Sequence, residues 1–576
     1  MSLTSSLQIG NSALNAAQLA IQVVGNNMAN AATPGYSRQI AFMQTSLPDG
    51  TSGMSLGTGV HVSGIRRQVD EALQARLWNG TSQEAGAQQQ SNILSQIEGA
   101  LGELGDASLS KQLSTFFNTW SERANLTKSS AVVVQQGKQL SDFIRKLRND
   151  LTDQKTQIDN QVGVQVQKAD GALTKIAELN TQIAAAETGG GESGSLRDQR
   201  DSLITELSQY MDVTAVDQGN GFINILVGST PVVLGGHSRG IELKRESAGN
   251  GVSISVNLKD DGQSLDIQSG QIGASIANRS AAIDSTVDKL DTIASQLIFQ
   301  VNKLHSTGTN ADWLTSASAQ LSIPAADRTR SLNDPANGTL AALPFHAVNG
   351  GFTVNVKSST GATQAIRINV DLDGLDSTGA AGFSNDSSAQ SIASAIDAID
   401  GVSASIGPDG KLKLSADTGF SFAMSDDSSG ALAVLGVNSY FTGTSASDIN
   451  VRQDLTDTPS QLMVGRLTAT GFVENASAMQ ISQLQNMSIA ALGNQSITKS
   501  WLDSAQSLGV QTDAAKAIAE AASTVREGLE AQRAAISGVS VDEESVNLLT
   551  FQRQYQGAAK FVSVVDQMTQ TLISLV

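Results

Sequence analysis

Leu3, Leu7, Gly10, Leu14, Ala17, Ile21, Val24 and Met28 step along the start of the chain by fours and threes, and seven of these eight sites are apolar. The far end keeps the same rhythm: Leu548, Phe551, Tyr555, Ala558, Val562, Val565, Thr569, Leu572 and Val576. Such rows are the a/d seam of a coiled coil. Two separate amphipathic helices, each docked on its own local core, would give a similar row. Matching seams at both extremes favour the two ends pairing with each other. Between the first seam residues sit Gln8, Asn11, Asn15, Gln18, Gln22 and Asn26, polar but neutral. The first charged side chain of the chain is Arg38. A neutral face suits crowding of identical copies, where like charges would multiply repulsion. Ordering a residue costs about 1–2 kcal/mol of backbone entropy, and one narrow seam returns little against it. The two ends are therefore expected to fray in a lone chain and to trim readily under protease.

Further in, residues 80–187 read mainly as helix. Leu140, Ile144, Leu147, Leu151 and Ile158 mark one stripe, and Leu173, Ile176, Leu179 and Ile183 another. Gly163 and Gly171 are expected to weaken the middle. Thr188–Ser195 is a loop, and Ser195–Met211 returns to helix with Ser195 as its N-cap. After Met211 the period shortens to two, and residues 212–258 read as strands and hairpins. Residues 276–308 are helical again, with Ile283, Val287, Leu290, Ile293, Leu297 and Val301 on one face. Residues 325–450 form a second strand-rich stretch with one helix, Ser388–Ile399. The chain then returns to helix from about Leu455.

The expected fold is therefore multidomain α + β. Terminal helices (1–35 plus 540–576) form a coiled-coil pair. A long helical bundle takes 36–210, 271–324 and 451–539. Two β-rich domains are inserted, 211–270 and the variable 325–450. The nesting brings both termini together.

At 576 residues several domains are required, since single cores stop growing near about 250–300 residues. A net charge of −18 argues against binding a phosphate backbone. The chain has no cysteine, which excludes disulfides, thiol catalysis and thiolate-bound metals. Neither a signal peptide nor a membrane-spanning run is read.

Candidate chemistry is sparse. Gly236–Gly240, GHSRG, matches a nucleophile elbow, with Ser238 to attack and His305 or His346 to complete a triad. An elbow needs a helix directly after it, whereas a hairpin is expected here. His61, His237, His305 and His346 share no metal-ligand spacing. Asp371–Asp376, DLDGLD, opens like a calcium loop but lacks the later ligands and the closing Glu, so strand-turn acidity is the better account. Gly189–Gly191 lack the Lys and Ser or Thr of a phosphate loop. No catalytic residue, cofactor or metal is expected.

The stretch NNMANAATPGYSRQ begins with poor helix formers, Asn26, Asn27 and Asn30, so the first helix should end near Ala31 or Ala32. Pro34 pushes Thr33 out of the α region, and Gly35 allows a tight turn. Tyr36 and Arg38 then offer an anchor and a charge to the body of the protein. This stretch resembles the N-terminal signature of the bacterial flagellar axial proteins. Its ending, Thr33-Pro34-Gly35-Tyr36-Ser37-Arg38-Gln39, is similar to that of the hook-associated protein one family. Leu196–Ser208, Val301–Gly308 and Ser537–Met568 resemble further segments of that family. Ala31-Ala32 stands where Ala-Asn is more usual.

The resemblance implies a structural protein that forms a ring at the hook–filament junction and is needed for filament assembly. It implies export through the flagellar type III channel without a cleaved signal. Implied partners are further copies of the chain, hook protein, the second junction protein and a cytoplasmic chaperone on the C-terminal helix. No nucleic acid or membrane is implied. Asn27, Asn30, Thr33, Pro34, Gly35, Tyr36 and Arg38 carry over as the axial motif. Alternatives are another axial protein, hook protein or flagellin-like, or a serine hydrolase using Ser238. Removal of 325–450 is expected to leave motility largely intact.

Overall fold

The computed structural model describes residues 3–46, 57–103, 105, 108–248 and 251–574. Its contacts divide into two units: 1–93, 157–279 and 513–576 in the first, 94–156 and 280–512 in the second.

The first unit opens with α1 (Leu3–Ala29), which stops at Ala29 rather than at Ala31 or Ala32. The asparagines end it early because their side chains bond to the turn: Asn30 Nδ2 donates to the Asn26 carbonyl over 2.9 Å. An antiparallel hairpin follows, β1 (Gln39–Thr45) and β2 (Val60–Arg67), with a register shift at Phe42/Met43. It leads into α2 (Glu71–Leu101). The C-terminal helix (Val541–Ser574) packs along α1. They run antiparallel: Gly10 faces Val562 at one end, and Asn27 reaches Glu544 at the other. A Cβ on Gly10 would stand 2.5 Å from Val562 Cγ2. The second half of α4 (Ser130–Glu187) and α5 (Gly194–Tyr210) supply much of the remaining core, through Ile158, Val162, Leu173, Ile176, Ile204 and Leu207. A four-stranded antiparallel sheet has the order β3 (Thr214–Asp217), β4 (Ile223–Val227), β5 (Thr230–Leu234), β6 (His237–Ser238). It precedes a hairpin, β7 (Ile241–Ala248) and β8 (Gly251–Leu258), and the helix α6 (Gly270–Asn278).

The structure bears on two local expectations, the glycines of α4 and the cap of α5, and corrects the second. α4 runs 58 residues through Gly163 and Gly171 without a break. Each glycine costs about 1 kcal/mol against Ala, but Val162, Val166, Ala169 and Leu173 are buried beside them and offset it. The residue before α5 is Ser193, not Ser195, because Ser193 N–H is already held by Glu187 Oε1 at 2.9 Å.

In the second unit an aromatic centre gathers Phe116 and Trp120 of α3 (Leu109–Ala124) with Tyr440 and Phe441. Tyr440 lies so close to α4 that a Cβ on Gly137 would overlap its hydroxyl. That hydroxyl donates to the Val133 carbonyl over 2.8 Å. Leu140, Ile144 and Leu147 of α4 and Leu290, Ile293, Leu297 and Val301 of α7 (Ser285–Ser306) are buried as their spacing predicts. The strand-rich stretch, joined by one strand from before it, makes two three-stranded antiparallel sheets. One is β12 (Thr363–Val370), β11 (Gly350–Ser358), β15 (Phe420–Ser425); the other is β10 (Ser316–Ser318), β14 (Leu412–Ala416), β13 (Val402–Ile406). The short strand β9 (Gly308–Thr309) lies apart from both, paired with Gly465–Thr468. The helix Ala389–Asp397 packs on β13 and starts on a capping box between Ser388 and Ser391.

Candidate functional site

The axial motif folds into a corner where α1, the start of β1 and the C-terminal helix meet. Asn27, 1 % exposed, uses its whole amide. Its Oδ1 accepts from Tyr36 Oη at 2.9 Å and from the Gln39 N–H at 3.0 Å. Its Nδ2 donates to the Gln39 carbonyl at 2.9 Å and to Glu544 Oε2 at 3.0 Å. Glu544 is equally buried, and Arg38 Nη2 lies 2.7 Å from its Oε1. Arg38 also reaches Glu543 at 3.1 Å, and its backbone N–H donates to the Ser537 carbonyl at 2.9 Å. One buried carboxylate is thus paired with a cation and an amide donor, as burial of a charge demands. Burial, then the negative charges of Asp198 and Glu544, push the Tyr36 hydroxyl up to about 12, so it stays a donor at neutral pH. Gly35 sits at φ 80°, the left-handed turn expected of it, and its carbonyl accepts from Arg533. Thr33 and Pro34 are exposed, and Asn30 is half-buried.

The same corner explains LRDQRD. Asp198 Oδ2 accepts from the Ser37 N–H at 3.2 Å, and its Oδ1 from Arg67 Nη1 at 2.8 Å. Asp201 takes the same Arg67 nitrogen at 2.7 Å, and Glu192 takes Nε at 3.0 Å. Burial works against the Arg67 charge, but Asp201 and Asp198 hold its pKa above the ordinary range. Arg197 forks onto both oxygens of Glu187 at 2.8 Å. Arg200 is fully buried and donates to Asn180 Oδ1 and the Gly221 carbonyl, which ties α5 to the turn before β4. Burial lowers its pKa to about 10, still charged at neutral pH. Sequence reasoning missed Arg67: no spacing pattern marks it, since the acids it binds lie more than a hundred positions away.

The seams are placed unequally. Gly10, Ala17 and Val24 are buried, while Leu3, Leu7, Leu14, Ile21 and Met28 are half-buried. A second row, Ala16, Ala20, Val23 and Asn27, is buried as well. It faces the β1–β2 hairpin, which Ser12 also meets by accepting from the Val60 N–H. On the C-terminal helix Val565 is buried, and Leu548, Phe551, Ala558 and Val562 are half-buried. Tyr555 and Leu572 are exposed, and Val576 lies outside the described residues. Leu549, Val564 and Met568 are exposed on the side away from α1, Ile573 is exposed near the helix end, and Phe561 is partly exposed with its ring against Gly10. Gln8, Asn11, Asn15, Gln18, Gln22 and Asn26 all face solvent. An open cleft of about 720 Å³ lies beside the corner, lined by Asn30, Pro34, Tyr36, Lys175, Gln182 and Ser202 among others.

The alternative chemistry finds no support in the geometry. Ser238 sits in a two-residue strand and not before a helix; its Oγ accepts from the Gly240 N–H at 3.3 Å. His305 has both ring nitrogens engaged: Nδ1 lies 2.7 Å from the Asn438 carbonyl, and Nε2 accepts from the Met463 N–H at 3.3 Å. Burial, then Arg452, lowers its pKa to about 3. Three residues earlier, Asn302 Oδ1 accepts from the Tyr440 and Phe441 N–H groups, and its Nδ2 returns a bond to the Phe441 carbonyl. VNKLHSTG is thus a clamp on the Asn438–Phe441 segment. His346 is exposed.

Comparison with known proteins places this geometry. Residues 94–316 match the model of the flagellar hook-associated protein FlgK helical domain. Residues 531–575 match the flagellar basal body rod FlgEFG protein C-terminal model, and 7–36 match the flagella basal body rod protein model. The chain is 25 % identical to flagellar hook-associated protein 1 of Escherichia coli K12 over 98 % of both chains. It is 31 % identical to that of Bacillus subtilis 168 over 36 % of this chain and 43 % of that one. Among solved structures, the flagellar hook junction protein FlgK from Burkholderia pseudomallei shares the fold, with TM-score 0.52 and 14 % identity over 80 % of this chain and all of the other.

Proposed function

Because the chain belongs to the flagellar hook-associated protein 1 family, we propose that it assembles as a ring of identical copies, the first tier of the hook–filament junction. It is a structural protein of the flagellum. The observation that carries the ring is the C-terminal helix, whose inner side packs on α1 while Leu549, Val564 and Met568 stay exposed on the other side. An apolar side of this size calls for a partner surface. The uncharged outward face of α1 lets copies approach without like-charge repulsion. The seams at the two ends form a coiled-coil pair that neighbouring copies bury, and the axial motif fixes its angle to the body. Hook protein adjoins the ring on one side and the second junction protein on the other. Before export, a cytoplasmic chaperone covers the apolar side of the C-terminal helix. No described helix is long and apolar enough to cross a membrane.

A deletion strain tests this directly. Electron microscopy should show hooks of normal length without filaments, with flagellin shed into the medium. Normal filaments on the deleted strain would overturn the junction role, and loss of the hook itself would point to another axial position.

A further inference from the structure

The loop between β12 and the Ala389–Asp397 helix gathers three carboxylates. One oxygen each from Asp371, Asp373 and Asp386 lies within 4.8 Å of the other two. Among the described residues no Lys, Arg or His pairs with any of them.

A second observation concerns Asp386, which is only 6 % exposed. Its Oδ2 accepts from Asn333 Nδ2 at 2.6 Å and from the Gly374 N–H at 3.1 Å. Its Oδ1 is buried and has no hydrogen-bond partner. The Oδ1 of Asn333, on the amide that touches Asp386, is buried and unpartnered too. Buried acceptors in folded proteins are nearly always satisfied. The free oxygen of Asp386 leaves a buried acceptor in this cluster without a donor, a place a cation would fill.

We propose that Asp371, Asp373 and Asp386 bind one Ca²⁺ ion. The donors are all hard oxygens, which suits Ca²⁺ or Mg²⁺ rather than Zn²⁺. Ca²⁺ takes six to eight oxygens in irregular loops, whereas Mg²⁺ demands near-ideal octahedral geometry and keeps its water. A long loop with carboxylates at unequal spacing fits the first. Asp371 and Asp373 come from DLDGLD, and the ligand missing from that run is supplied by Asp386 across the loop. The ion would pin the loop's two ends, which already touch through the Ser387 N–H and the Asp371 carbonyl at 2.7 Å.

The test is calorimetric titration of the full chain, freed of metal by chelator, with CaCl₂. One site with a Kd of about 10⁻⁴–10⁻³ M is expected, as in extracellular modules, and MgCl₂ should bind at least about tenfold more weakly. The double variant Asp371→Asn/Asp373→Asn should lose at least about tenfold in Ca²⁺ affinity with an unchanged far-ultraviolet spectrum. Asp386→Asn should do the same; if it misfolds, the double variant at the less buried positions still decides. No saturable Ca²⁺ heat up to about 10 mM, equal binding of Mg²⁺, or wild-type affinity in the folded double variant would each overturn the assignment.

Discussion

Asn27 and His305 show what single side chains settle. Asn27 bonds at once to Tyr36, to the backbone of Gln39 and to Glu544. Asn27→Asp keeps the shape but removes both donors and sets a carboxylate against Glu544. A loss of about 2–4 kcal/mol at the corner is expected once the end helices are ordered by assembly, read as impaired swimming of the variant strain; wild-type motility would refute the role given to it. His305 is neutral in its pocket, with a pKa of about 3 set by burial and by Arg452. The unfolded chain binds a proton on it below about 6.5. Its contribution is therefore present above that pH and is lost as pH falls from about 6.5 towards 3, by up to a few kcal/mol. Denaturant unfolding of wild type and His305→Gln should show this slope in the first and a shallower one in the second. The asparagines and the histidine were visible as motif letters. Their partners, Glu544 and Asn438, lie 517 and 133 positions away, a separation no periodicity encodes.

Helices and strands were the most legible level, and their ends the least. The stripes on α4 and α7 are buried as spacing predicts, except that Leu179 and Val287 are half-buried. α1 departs from its seam because it has two neighbours. One row meets the C-terminal helix, and the Ala16–Ala20–Val23 row meets the hairpin. A heptad pattern assumes one partner, so it finds only one row. Gly10 belongs to the row that demands close approach, since a Cβ there would stand 2.5 Å from Val562. Gly10→Val should weaken the pairing by about 1–3 kcal/mol through overpacking. Swimming assays should show impaired motility while the purified chain keeps its thermal transition; full motility would sink the claim that this pair must close. Terminal trimming by protease over roughly the first and last 30–40 residues remains the expectation for an unassembled chain.

For the complete chain, the removable insert is the point that changes. Residues 325–450 include Tyr440 and Phe441, which stand in the aromatic centre with Phe116 and Trp120 and are clamped by Asn302. Excising the whole stretch is therefore expected to unfold the second unit and abolish motility, against the mild effect its variable character suggests. Loss of the thermal transition in the excised chain would agree, and a stable, motile product would not. Sequence missed the β1–β2 hairpin and the strands Gly465–Thr468 and Gly471–Val473, which fall in stretches it assigns to the helical bundle. It was sufficient for the long helices, for the strand-rich stretches after Met211 and after 325, for the uncharged first helix, and for the family through four short motifs. These are local or periodic features, written in neighbouring residues. Folding in three dimensions alone settled which charge meets Arg67 and Glu544, which row of α1 faces the hairpin, where the insert stops being separable, and that Asp386 joins Asp371 and Asp373. Each of these depends on distant residues brought within hydrogen-bonding or van der Waals reach, and such reach follows from packing, not from spacing along the chain.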